Sequence, residues 1–109
     1  MLPITYKKPF SAVVGGTVTN LVVGSNATIL TLVAASPASA GYIQVFYKVA
    51  ANVTLGTTVA DIVIPMPTGG IIIDVGWHIN SGNAGVSLAV TTDRTGLTGV
   101  NTNVFIIYD

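Results

Sequence analysis

Residues 71–79 alternate without a break. Ile71, Ile73, Val75, Trp77 and Ile79 fall on one side, and Ile72, Asp74, Gly76 and His78 on the other. Successive side chains of a strand point to opposite faces, so this segment predicts a β-strand with a core side and a wetter side. Val86, Leu88 and Val90 repeat the pattern against Ser87, Ala89 and Thr91. Nowhere does an apolar face spaced i, i+3, i+4, i+7 persist over three turns, so helices are not expected. Short runs of the same kind predict strands over 17–23, 28–33, 42–49, 59–64, 71–79, 86–92 and 104–108, with an eighth if 11–14 pairs. The punctuation agrees: Gly15-Gly16, Gly24-Ser25-Asn26, the small-residue run 36–41, Pro65-Met66-Pro67-Thr68-Gly69-Gly70, Asn80-Ser81-Gly82-Asn83 and Thr95-Gly96-Leu97-Thr98-Gly99 all carry turn chemistry. The fold class expected is all-β, a single antiparallel β-sandwich of seven to eight strands.

Two segments break the alternation. Val104-Phe105-Ile106-Ile107-Tyr108 and Ile62-Val63-Ile64 are apolar on both faces and need cover on both sides. In a thin two-sheet domain the second cover is most easily a neighbouring subunit, and Ile72, Phe105 and Ile107 are the expected oligomer contacts.

Composition sharpens this. Val, Ile and Thr, which suit a pleated and half-buried surface, supply 41 of 109 residues. Only eight residues are charged, four of each sign, and none is Glu. A folded monomer of this mass exposes roughly 5,700 Å², so each charge would serve about 700 Å². Soluble domains carry about a quarter charged residues. Much of this surface is therefore expected to be covered, by copies of the chain or by a larger assembly.

With zero net charge the chain lacks the field that gathers nucleic acid, and no nucleic-acid partner is expected. The 39 residues from Pro9 to Tyr47 hold no charge, but glycines, Pro37 and many Ser, Thr and Asn leave no run of about 18 apolar residues, so no membrane span is expected. Lys7-Lys8, an apolar stretch and Ser36-Pro37-Ala38-Ser39-Ala40 imitate a signal peptide; β-rich composition explains the likeness, and the segment is read as retained.

Candidate chemistry is thin. His78 is the sole histidine and there is no cysteine, so one chain can build neither a multi-histidine metal site nor a Ser-His-Asp triad with a spare base. His78 stands four residues after Asp74 on the same predicted face, which allows a polar pair, or a metal shared by three chains on a threefold axis; a histidine without special role is the simpler reading. The aspartates Asp61, Asp74, Asp93 and Asp109 are scattered, and Gly69-Gly70 precedes a strand and not a helix, so no acid/base pair or phosphate loop is expected. No enzyme activity, cofactor or metal is expected. Asn26-Ala27-Thr28 and Asn52-Val53-Thr54 match the glycosylation sequon at the frequency chance allows in such a chain. Trp77, Tyr6, Tyr42, Tyr47 and Tyr108 could line a sugar-binding groove, although core or seam positions suit them better.

Residues 1–10 differ from the rest. They hold two of the four positive charges, two prolines, and the large groups Leu2, Ile4, Tyr6 and Phe10 at even positions. Termini fray unless tied down, and this one is too short to form its own hairpin, so it reads as an extended arm along a partner, with Leu2, Ile4, Tyr6, Lys7, Lys8 and Phe10 as contacts. The competing reading is a first strand of the chain's own sheet. The sandwich domain then spans 11–109.

The run Tyr42-Ile43-Gln44-Val45-Phe46-Tyr47-Lys48-Val49-Ala50-Ala51-Asn52-Val53-Thr54-Leu55-Gly56-Thr57-Thr58-Val59, followed by Asp61-Ile62-Val63-Ile64-Pro65-Met66-Pro67, resembles a pattern of small virion proteins of tailed bacteriophages. The likeness continues through Gly69-Gly70, Gly76-Trp77-His78, Val90-Thr91-Thr92 and the last aromatic strand; Ala60 stands where the pattern often has proline. The resemblance, to capsid decoration or cement proteins, implies a jelly-roll-like sandwich on the outer surface of a phage head. It further implies a homo-oligomer, a trimer before a dimer, that is made in the host cytoplasm and binds the major capsid protein. A carbohydrate- or receptor-binding module of a fibre or tail is the alternative.

Overall fold

A computed structural model describes residues 8–22, 27–79 and 85–108. They form eight strands: β1 Lys8–Val14, β2 Thr19–Val22, β3 Ala27–Ala35, β4 Gly41–Phe46, β5 Ile62–Met66, β6 Ile71–Ile79, β7 Val86–Thr91 and β8 Thr102–Tyr108. One turn of 3-10 helix, Ala50–Asn52, interrupts the segment between β4 and β5.

The strands nest from the outside in. β1 pairs with β8, β2 with β7, β3 with β6 and β4 with β5, all antiparallel. Pairings β3 to β8 and β4 to β7 complete two four-stranded sheets, ordered β1-β8-β3-β6 and β2-β7-β4-β5. A long hairpin wrapped over on itself produces this order, which is the jelly roll. The expected β-sandwich is the observed one.

Between the sheets lies a dry core. Val14, Leu32, Ala34, Val104 and Ile106 project from the first sheet, and Ile43, Val45, Val86, Leu88 and Val90 from the second. Each fully buried Val, Leu or Ile contributes about 1.5–3 kcal/mol through burial, and this layer fixes the register, because a slip by one residue would turn the apolar set outwards.

Boundaries shift where a side chain competes with the ladder. β4 ends at Phe46, short of the expected 49, because the Tyr47 N–H donates to the Asp61 carboxylate at 2.7 Å. The Asp61 N–H in turn donates to the Val45 carbonyl at 2.9 Å, so β5 starts at Ile62 and not at 59. That strand runs through Pro65, which a ladder position in mid-sheet would forbid; β5 is an edge strand, so the missing donor costs nothing.

β7 is buried on both faces, against the expectation of a wet side at Ser87, Ala89 and Thr91. The cover comes from the chain itself. The Ser87 hydroxyl donates to the Lys48 carbonyl at 2.7 Å, the Ala50 N–H to Asn20 Oδ1 at 2.8 Å, and Gln44 Nε2 lies 3.4 Å from the Gly96 carbonyl. The outer face of the second sheet is thus roofed by residues 47–61 and 92–99. Nothing among the described residues does the same for the first sheet.

Candidate functional site

The outer face of the β1-β8-β3-β6 sheet can be built row by row from its register. Ser11 pairs with Phe105, Phe105 with Val33 and Val33 with Ile72, which makes one row across all four strands. On one side of it lies the row Pro9, Ile107, Thr31, Asp74, and on the other Val13, Asn103 and Ala35. In these rows Ile72 is 74% exposed, Val13 68%, Phe105 45% and Ile107 40%. Their neighbours in the chain, Val14, Val104 and Ile106, are fully buried. Of the two strands that read as apolar on both faces, β8 has one face in the core and the other bare, whereas Ile62, Val63 and Ile64 of β5 are all half-buried.

Ile72, Phe105 and Ile107, expected as interface residues, are therefore brought together on one surface. Val13 was missed, although the doublet Val13-Val14 carried the signal: adjacent strand residues face opposite ways, so one of the two had to point outwards. Asp74 is the only ionised group that the described side chains place in these rows, and it accepts a hydrogen bond from Thr31 Oγ1 at 3.1 Å. At the β3–β6 end the face dips into a hollow of about 540 Å³, floored by Ala35, Ser36, Gly69 and Gly70 and rimmed by Val33 and Ile72.

The arm residues divide. Leu2, Ile4, Tyr6 and Lys7 lie outside the described residues. Lys8 and Phe10 are strand residues, opposite Tyr108 and Ile106, so the sheet takes up the last three positions of the segment read as an arm. The pairing runs without a shift from Lys8 to Val14, and that continuity makes these positions part of the sandwich.

His78 sits on β6 opposite Thr28, and its side chain lies outside the described residues, as does that of Trp77. Between Asp74 and His78 the β6 strand carries one residue more than β3, a bulge at which Gly76 has φ of 63°. The expected polar pair of Asp74 and His78 lies outside what is described, because the His78 side chain does. Among the described residues no three His, Asp or Glu side chains converge on a metal position.

Two further features have polar or aromatic walls. A groove of about 460 Å³ runs beside Tyr42, Pro65, Met66, Pro67 and Thr92 at the β5 edge. A smaller cavity of about 150 Å³ lies under the roof of the second sheet, lined by Gln44, Thr57, Thr58, Val63, Arg94 and Thr95. The Tyr47 hydroxyl is raised above its ordinary value of 10, first by partial burial and then by the Asp61 carboxylate. None of these brings a nucleophile together with a base.

Compared with family models, curated proteins and solved structures, the chain matches none. No helix among the described residues is long and apolar enough to cross a membrane.

Proposed function

We propose that the chain is a structural virion subunit, a decoration or cement protein that self-associates and binds the outer surface of a phage head. The observation that carries this reading is the contrast between the two outer faces. One is roofed by the chain's own loops, and the other leaves Val13, Ile72, Phe105 and Ile107 in the open. A bare apolar sheet face with almost no charge is a liability in an isolated monomer and an asset in an assembly, where a second surface removes it from water. The resemblance to phage decoration proteins supplies the partner, the major capsid protein, and the location on the outside of the virion. Neither catalysis nor a cofactor belongs to this role.

The test is the native mass of the purified protein, alone and after mixing with undecorated heads. Self-association together with saturable loading onto heads is the expected result. A stable 11 kDa monomer at micromolar concentration that leaves heads bare would overturn it.

A second reading, a carbohydrate- or receptor-binding module of a fibre or tail, is favoured by the Tyr42 groove with its proline walls. It predicts glycan binding that Tyr42→Ala abolishes while head loading is absent.

A further inference from the structure

A β-sandwich of two open sheets has four edge strands, here β1, β6, β2 and β5. An unpaired edge offers a row of N–H and C=O groups to any other strand, and folded proteins block it with proline, charge, bulges or short strands. Three of the four edges are blocked. β5 carries Pro65, and β6 has the bulge at Gly76 and the charge of Asp74. β2 is only four residues long, has a register shift after Asn20, and gives the Asn20 side chain to the Ala50 N–H. β1 is guarded only at its beginning, by Lys8 and Pro9. From Phe10 to Val14 it is uncharged, unbulged and, among the described residues, paired on one side alone.

We propose that β1 is a self-pairing edge, on which the β1 strand of a second copy adds antiparallel about a twofold axis at Ala12. The register follows from Pro9. A proline that stays in the ladder must turn its nitrogen, which has no hydrogen, to the open side, so Pro9, Ser11 and Val13 are the residues whose main chain faces outwards. Ser11 and Val13 then exchange both hydrogen bonds with Val13 and Ser11 of the second copy, four bonds in all. Ala12 faces its own counterpart, and Lys8 lies at the far end of each strand, away from its twin. An antiparallel strand is always complementary to itself across such an axis, so no second surface has to be supplied.

Edge pairing also widens the bare face. Seven residues at about 3.4 Å and four strands at about 4.8 Å give an outer face of roughly 450 Å², against the ~800 Å² per partner of a standard interface. Edge pairing leaves both faces free and joins them, with Val13 of one copy beside Ser11 and Phe105 of the other, into one apolar surface twice as wide. Of the two oligomers the resemblance implies, this favours the dimer. The inference does not depend on the virion reading: a cross-linked dimer that ignores phage heads would sink that reading alone.

The chain has no cysteine, so Ala12→Cys can form a disulfide only with another chain. Residues facing each other across a non-hydrogen-bonded pair have Cα atoms about 4.5 Å apart, within disulfide reach. Mild oxidation of Ala12→Cys should convert most of the protein to twice its 11.1 kDa mass, whereas Ile72→Cys, on β6 at the far side of the sheet, should stay at single mass. Val13→Pro, which removes an outward N–H and spares the ladder to β8, should weaken dimerisation by roughly tenfold or more, since two of four hydrogen bonds go. Equal cross-linking at both cysteines, no cross-link at residue 12, or an undiminished dimer with Val13→Pro would each overturn the proposal.

Discussion

Gln44 Nε2 donates to Thr91 Oγ1 at 2.8 Å across 47 residues of sequence, and the same hydroxyl donates to the Asp93 carbonyl at 2.7 Å. Both side chains are buried, on the outward face of the second sheet and beneath its loop roof. The pair therefore does for this face what apolar contact does between the sheets: it holds the 92–99 loop down. Thr91→Val should leave the Gln44 amide and the Asp93 carbonyl short of a partner and cost about 1–3 kcal/mol. Urea unfolding should show this as a lower midpoint with an unchanged slope.

The β5–β6 turn depends on one glycine more than on its neighbour. Gly70 has φ of 85°, and a Cβ there would collide with the Ala34 carbonyl oxygen, whereas one on Gly69 would meet nothing. Gly76, with φ of 63° and open space around it, isolates the conformational part. Gly69→Ala should be neutral, Gly76→Ala should cost about 1–2 kcal/mol, and Gly70→Ala should cost clearly more because steric conflict is added. The thermal midpoints of the three variants should fall in that order.

The fold was legible because its strands announce themselves by period two, down to the residue for β6, and because proline and glycine mark their ends. The loop roof was not. Alternation in β7 reports that Ser87 and Thr91 share a face, but whether water or a distant loop meets that face depends on contacts such as Ser87 to Lys48, 39 residues apart. The bulge at Gly76 was equally hidden, since a lone glycine in a strand signals one only weakly. For the candidate site, the apolar doublets at 13–14 and 104–107 carried the signal, and pairing alone could show that their outward halves form one surface.

Ile72→Asp puts a second carboxylate two residues from Asp74 on the bare face. Since Ile72 is mostly exposed, the fold should lose no more than about 0.5 kcal/mol. Head loading should fall steeply, and the loss should persist at high salt, because it comes from apolar contact and not from screened charge. Serine at the same position should give an intermediate loss.

Tyr47 makes a pH prediction. Its hydroxyl is raised by partial burial and by Asp61, so the folded chain holds this proton more tightly than the unfolded one. The associated stability is complete below pH 10 and is lost as pH climbs through the raised folded value. Tyr47→Phe should be indistinguishable from the parent near neutrality and should remove part of the decline above pH 10. The ultraviolet difference titration of parent against variant should place this tyrosine later than an ordinary phenol.

The amino-terminal segment offers the sharpest separation between sheet and attachment. The described pairings of β1 run from Lys8 to Val14, so removing residues 1–7 spares all the described pairings of the first sheet, while removing residues 1–14 deletes the strand that covers the β8 edge. If Leu2, Ile4, Tyr6 and Lys7 lie along a capsid subunit, the shorter deletion should leave the unfolding midpoint in place and lower head occupancy. The longer one should expose β8, with its apolar residues on both faces, and lead to aggregation. Replacing Lys7 and Lys8 by Ala should cost less than the short deletion, and the cost should shrink with salt, because exposed ion pairs are worth about 0–1 kcal/mol each. Full occupancy after loss of residues 1–7 would move attachment to the bare sheet face, where Ile72→Asp would then be the variant that fails to load.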